Sequence, residues 1–182
     1  AVLVGSQMHE ALGAALDVHG NRFSRRRYRD YFGAFYEFLG PHRFKIDGAT
    51  VVELGCGSLN PYGLLFLFIL LGARRGIAID LDPIHDDAGA VRALANLSAM
   101  MLINPEDLVG EYPFDLALLR NGNPAGLDRE RLGYRQESVH ALSLKDGEAD
   151  VIVSNAFFEH IPRVEDAIEE LARVTRRGGI GI

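Results

Sequence analysis

Hydrophobic positions along this chain change their period several times, and each change predicts an element. Thr50, Val51 and Val52 are β-branched and run into Glu53 and Leu54, a short buried strand that stops at Gly55. Tyr62 to Leu71 is apolar on every side, with Pro61 at its first turn, which predicts a helix covered on both faces. Gly76 to Ile79 is a second apolar strand and ends at Asp80. Asp86 to Leu102 places Val91, Leu94, Ala95, Leu97, Ser98 and Met101 along one side of a helix, which Asn104-Pro105 breaks. Leu132 to Val139 alternates as a third strand with its exit loop, and Asp150 to Ser154 is a fourth. Val164, Ile168, Leu171 and Ala172 mark the inner face of a last helix. It opens on Glu165 and Asp166, closes on Arg173, Arg176 and Arg177, and is expected to stop at Gly178-Gly179, with a fifth strand beginning as the chain reaches Ile182. Ahead of all this, Ser6 to Leu39 reads as two helices parted near Gly20 and Asn21.

Strands that alternate with helices predict an α/β fold, and one unit of it carries candidate chemistry. Gly55 and Gly57 flank Cys56 in the loop after the first strand, where a missing Cβ lets the backbone turn sharply and lets a ligand approach its N–H groups. Asp80 stands at the tip of the second strand. A ribose offers two adjacent hydroxyls there, and one carboxylate can accept a hydrogen bond from both.

The run E-L-G-C-G, with the acid Asp80 after the next strand, resembles the class I S-adenosylmethionine-dependent methyltransferases, small-molecule type. Their first motif has the form acid-x-Gly-x-Gly-x-Gly. Glu53, Gly55 and Gly57 match it, and Leu59 stands where the third glycine is often found. The resemblance implies a Rossmann-like, doubly wound, mostly parallel sheet in the order 3-2-1-4-5-7-6, of which this chain would lack the last strands. It implies S-adenosylmethionine as cofactor. Glu53 would orient the amino acid part through the loop Gly55, Cys56 and Gly57, Asp80 would hold the ribose, and Leu81 would pack on an adenine face. Aligning Asp146-Gly147 and Asp150 with the family pattern puts Ser138 where an acid usually meets the adenine amino group, with the Val139 N–H beside it. Asn155 opens N-A-F-F-E-H-I, a loop that borders cofactor and substrate in small-molecule methyltransferases and differs from the N-P-P-Y of enzymes acting on bases or glutamine. His160 in that loop is a candidate base toward a hydroxyl; its plainer role is a hydrogen-bonding residue at a helix start. No particular catalytic residue is implied, because the electrophile comes with the cofactor.

Composition narrows the setting. A chain of 182 residues with 48% hydrophobic content can bury one good core. The expected division is an N-terminal helical cap at 1–47 and a cofactor-binding α/β domain at 48–182, with a helical insertion at about 103–131. In the cap, Tyr28, Phe32, Phe35, Tyr36 and Leu39 form an aromatic stripe. It is either a face packed on the sheet or a lid that brings Tyr28 to a substrate. One cysteine fits a reducing cytoplasm, and the longest apolar run, Leu64 to Leu71, is too short to span a membrane. A formal charge of −6 argues against bulk affinity for nucleic acid, although Arg22, Arg25, Arg26, Arg27 and Arg29 crowd one helix and keep an RNA substrate as an alternative. A methyltransferase-like binding module without turnover is a second alternative. An NAD-dependent oxidoreductase is a third, disfavoured because its fingerprint needs glycine where Asn60 stands. The partner expected is a small molecule; no metal-ligand spacing is present, the acceptor and oligomeric state are not set by the sequence, and the chain reads as a fragment.

Overall fold

The computed structural model describes residues 46–58, 61–70, 72–101 and 114–182. The expected cap with Tyr28, the positions Leu59 and Asn60, and the first part of the insertion lie outside the described residues.

Among the described residues, five strands form one sheet in the order β3-β2-β1-β4-β5. They are β1 (Thr50–Leu54), β2 (Arg75–Asp80), β3 (Leu132–Gln136), β4 (Ala149–Ser154) and β5 (Thr175–Gly181). Every pair is parallel, with β1 at the centre between β2 and β4. Parallel strands need crossovers, and among the described residues four helices supply or accompany them: α1 (Gly63–Leu70), α2 (Asp87–Met101), α3 (Leu116–Arg120) and α4 (Val164–Val174). This is the expected Rossmann-like class I methyltransferase architecture.

Side-chain alternation along the strands divides the core in two. Val51, Ala78, Val151 and Val153 join α1 and α2 on one face, whereas Val52, Leu54, Ile77, Ile79 and Ile152 join Ala167 and Val174 of α4 on the other. A strand covered on both faces favours apolar residues, as Val51, Val52 and Leu54 show; β1 carries polar side chains only at Thr50, where it begins, and at Glu53, next to the site. α1 is buried from Leu64 to Ile69, as its all-round apolar sequence predicts, because it packs against β1 and β2 and is covered by α2. Among the described residues of the insertion, Asp115 caps α3 by accepting from the N–H groups of Ala117 and Leu118, and Leu119 and Leu127 reach the core. No helix among the described residues is long and apolar enough to cross a membrane.

One boundary corrects the sequence reading. The last helix ends at Val174, and Arg176, Arg177, Gly178 and Gly179 belong to β5. Pairing with β4 outweighs the helix-stop signal: Thr175 is opposite Ala149, Ile180 is opposite Val151, and the residues between them bulge. Gly178 takes φ +79 in that bulge, and a Cβ on Gly179 would lie 2.9 Å from the Asp150 carbonyl oxygen. Arg173 does not simply face the helix dipole. It holds the Leu142 and Leu144 carbonyls and pairs with Glu170 and Asp146.

Asp150 ties the same end of the sheet together. Its Oδ2 accepts from the Thr50 N–H at 2.6 Å, and its other oxygen pairs with Arg176. Thr50 is only 1% exposed, so removing the acceptor leaves a buried N–H without its partner. Asp150→Ala is expected to cost about 1–3 kcal/mol in urea unfolding.

Candidate functional site

The strand order reverses between β1 and β4, which stay paired to their last residues, and a crevice opens beyond the C-terminal ends of the strands. The loop after β1 follows Leu54, which lines the crevice. Gly55 donates its N–H to the Ile79 carbonyl at 2.9 Å and takes φ +69. A Cβ there would stand 2.6 Å from Cδ2 of Phe157, so glycine is required for conformation and for space. Gly57 takes φ +74 with nothing within 4 Å of an added Cβ. Gly57→Ala is therefore expected to cost about 1 kcal/mol of backbone strain, and Gly55→Ala clearly more because Phe157 must also move; thermal melts of the two variants check that order.

Asp80 is locked to that loop. Its Oδ2 accepts from the Gly57 N–H at 2.8 Å and its Oδ1 from the Asp82 N–H at 3.0 Å. Each carboxylate oxygen retains a further lone pair, so the group can still accept two hydrogen bonds from a diol. The following loop is held from β3, where the Tyr134 hydroxyl donates to the Asp82 carbonyl and Gln136 Nε2 to the Leu81 carbonyl at 3.1 Å. Leu81 itself is 68% exposed, an apolar side chain left open beside the crevice.

Glu53 lies beneath the glycine loop, half-buried, with no hydrogen-bond donor or cation paired with it among the described residues. Burial, and then the nearby Asp80 carboxylate, push its pKa up to about 8. Burial likewise pushes the Cys56 thiol well up, with Glu53 and Asp80 adding to it. Cys56 is thus a small buried thiol and no thiolate nucleophile.

The crevice holds about 560 Å³ of empty space, its open mouth included. Leu54 and Ile79 line it from the strand ends, Asp80 and Leu81 from the β2 tip, Glu137 to His140 from the β3 exit, and Phe157 with His160 to Pro162 from the β4 exit. The structure therefore brings Asp80, Leu81, Ser138, Val139 and His160 of the sequence-predicted residues onto one wall system. Glu53 in β1 and Gly55, Cys56 and Gly57 in the loop after it are off that wall, as is Asn155, exposed at the β4 tip. Val139 is buried, whereas the His160 side chain is 75% exposed at the mouth. Glu137, next to Ser138, has its carboxylate engaged by the Ser143 N–H at 2.9 Å and by the Ser143 hydroxyl.

Sequence reasoning missed His140, Phe157, Ile161 and Pro162. His140 directly follows the predicted contacts Ser138 and Val139 and had only that proximity as a signal. Phe157 was visible as half of a Phe-Phe pair, which packs edge-on with ring centroids 5.5 Å apart, but its apposition to Gly55 joins the ends of two neighbouring strands that are far apart in the chain.

A family model described as Methyltransferase domain matches residues 113–182. A ribosomal protein L11 methyltransferase of Herpetosiphon aurantiacus is 31% identical over 112 residues, covering 61% of this chain and 30% of that protein. An uncharacterised protein of Mycobacterium tuberculosis is 32% identical over 139 residues, covering 73% of this chain and 44% of that protein. The chain thus spans less than half the length of either relative. A solved structure from Galdieria sulphuraria, assigned as a sarcosine dimethylglycine methyltransferase, matches with a TM-score of 0.50 at 16% identity over 86% of this chain and 45% of that one, a likeness of fold.

Proposed function

We propose that this chain, which belongs to the class I methyltransferase family by its fold and by its signature at residues 113–182, binds S-adenosylmethionine and transfers its methyl group to a small-molecule acceptor. The observation that carries the reading is the pair of carboxyls around the glycine loop. Asp80 is held by two backbone N–H groups with lone pairs to spare, and Glu53 is half-buried without a partner among the described residues. A diol suits the first, and a cationic amino acid end suits the second. The exposed Leu81 beside the crevice fits the same ligand.

Bound there, S-adenosylmethionine would supply an electrophilic methyl on a sulfonium, so the chain's part is position and exclusion of water. Asp80 fixes the ribose, Glu53 with Gly55, Cys56 and Gly57 fixes the amino acid end, and Leu81 covers an adenine face. The Ser138 hydroxyl and the Val139 N–H meet the edge of the base. Asn155 closes the loop side. His160, at the mouth, and Tyr28, on the cap at 1–47, are the substrate-side candidates, with the insertion at about 103–131 as a further source of acceptor contacts. The N-A-F-F-E-H-I loop favours a small-molecule acceptor, and a ribosomal protein, as named for the Herpetosiphon aurantiacus relative, is the competing result of an acceptor screen. The single cysteine goes with a cytoplasmic setting.

Calorimetric titration with S-adenosylmethionine, S-adenosylhomocysteine and NAD tests the reading. Both adenosyl compounds should bind and NAD should not; binding of NAD alone would sink it.

A further inference from the structure

Ser138 and His140 are hydrogen-bonded to each other on the crevice wall, and the far side of the imidazole decides which way the serine faces. His140 Nε2 lies 2.7 Å from the Pro162 carbonyl oxygen and 3.3 Å from that of Arg163. A carbonyl only accepts, so Nε2 carries the hydrogen. Both carbonyls are fixed at the start of α4, where Arg163 pairs with Asp166 at 2.9 Å and its carbonyl accepts from the Ala167 N–H at 3.3 Å. In the neutral imidazole Nδ1 is then a bare acceptor, and Ser138 Oγ stands 3.2 Å from it. The serine hydrogen is thereby committed to Nδ1. Its oxygen also takes the His140 backbone N–H at 3.3 Å, leaving one lone pair for a group in the crevice. A serine hydroxyl can ordinarily read a partner in either sense. This one presents an acceptor only.

We propose that His140 is a specificity-determining positioning residue: by fixing the direction of the Ser138 hydroxyl, it makes the purine edge of the site select a 6-amino base over a 6-oxo base. The inference rests on the adenosyl reading above. A 6-amino group donates to the free lone pair, whereas a 6-oxo group meets acceptor with acceptor. Glu137 does not substitute for it, because its carboxylate is held by Ser143. Ser138 thus performs, with help from His140, the part that a carboxylate performs without help: an acceptor that cannot turn into a donor.

The test compares dissociation constants of S-adenosylhomocysteine and S-inosylhomocysteine for the wild type, His140→Gln, Ser138→Ala and the double variant. The wild type should prefer the adenosyl compound by about tenfold or more. In His140→Gln the amide still reaches Pro162 but a methylene replaces Nδ1, the serine hydroxyl is freed to donate, and the preference should narrow about threefold or more. The same substitution should leave the ratio unmoved when Ser138 is already alanine, and contributions common to all four proteins, such as the Val139 N–H, cancel in the cycle. An unchanged ratio in His140→Gln, or an equal change in both backgrounds, overturns the proposal. Equal binding of both compounds by the wild type overturns it alone, whereas binding of neither also overturns the adenosyl reading on which it rests. Nitrogen NMR of the wild-type imidazole needs no variant. A hydrogen on Nε2 and a bare Nδ1 are expected, and the opposite tautomer refutes the relay.

Discussion

Asp80→Ala is expected to weaken S-adenosylhomocysteine binding by roughly 100- to 10,000-fold. Two hydrogen bonds from ribose hydroxyls to a charged acceptor are lost, each worth about 1.5–3 kcal/mol. The variant also releases the Gly57 and Asp82 N–H groups, which Asp80 holds at 2.8 and 3.0 Å, so the glycine loop loses its tether to the β2 tip. Asp80→Asn keeps the shape but turns an N–H₂ toward one of those donors, and a smaller loss, of about 10- to 100-fold, is expected. Calorimetry on both variants, with thermal melts to show that they fold, checks the pair. A folded Asp80→Ala that binds as tightly as the wild type would remove Asp80 from the site.

The second large effect is one of pH and centres on Glu53. Its carboxyl, pushed up to about 8 by burial and by Asp80, stays protonated in the folded chain at pH values where the unfolded chain, near 4.5, has lost the proton. The folded state therefore binds more protons across that window, and stability falls as pH rises through it. The contribution is fully present below 4.5 and is gone above about 8. Glu53→Gln cannot ionise, so between pH 5 and pH 8 it should gain roughly 3–4 kcal/mol relative to the wild type, read as diverging denaturant midpoints.

Binding runs the other way. A cationic ligand favours the ionised carboxyl, so wild-type affinity should climb toward pH 8 with proton release, approaching about tenfold for each pH unit. Glu53→Gln should bind more weakly and without that slope. Titrations in buffers of different ionisation enthalpy count the protons released. A flat wild-type affinity from pH 6 to pH 8 would mean that no cation meets Glu53.

Much of this protein was legible in its sequence because side-chain direction repeats locally. The run Thr50 to Leu54, the all-apolar α1 and the strand ending at Asp80 each announced their element and their burial, since a strand repeats every two residues and a helix every 3.6. Glycine spacing and the position of Asp80 fixed a candidate site for the same reason: both lie within one βαβ unit. R-R-G-G was misread because a helix end and a bulged strand use the same residues there, and only the partner strand β4 decides between them.

Tertiary structure alone decided the contacts that no local period encodes. Asp150 reaches the Thr50 N–H across 100 positions, Phe157 fills the space that Gly55 leaves, and His140 finds the Pro162 carbonyl 22 positions away. Each joins segments that are brought together by the order of strands in the sheet. The chain by itself determined which residues could carry charge, turn sharply or hide from water; packing determined that Glu53 lies half-buried beside Asp80, which raises its pKa, and that Ser138 has its hydroxyl direction set from behind. The physical reason is that periodicity is a property of neighbours along the backbone, whereas desolvation and hydrogen-bond polarity are properties of neighbours in space.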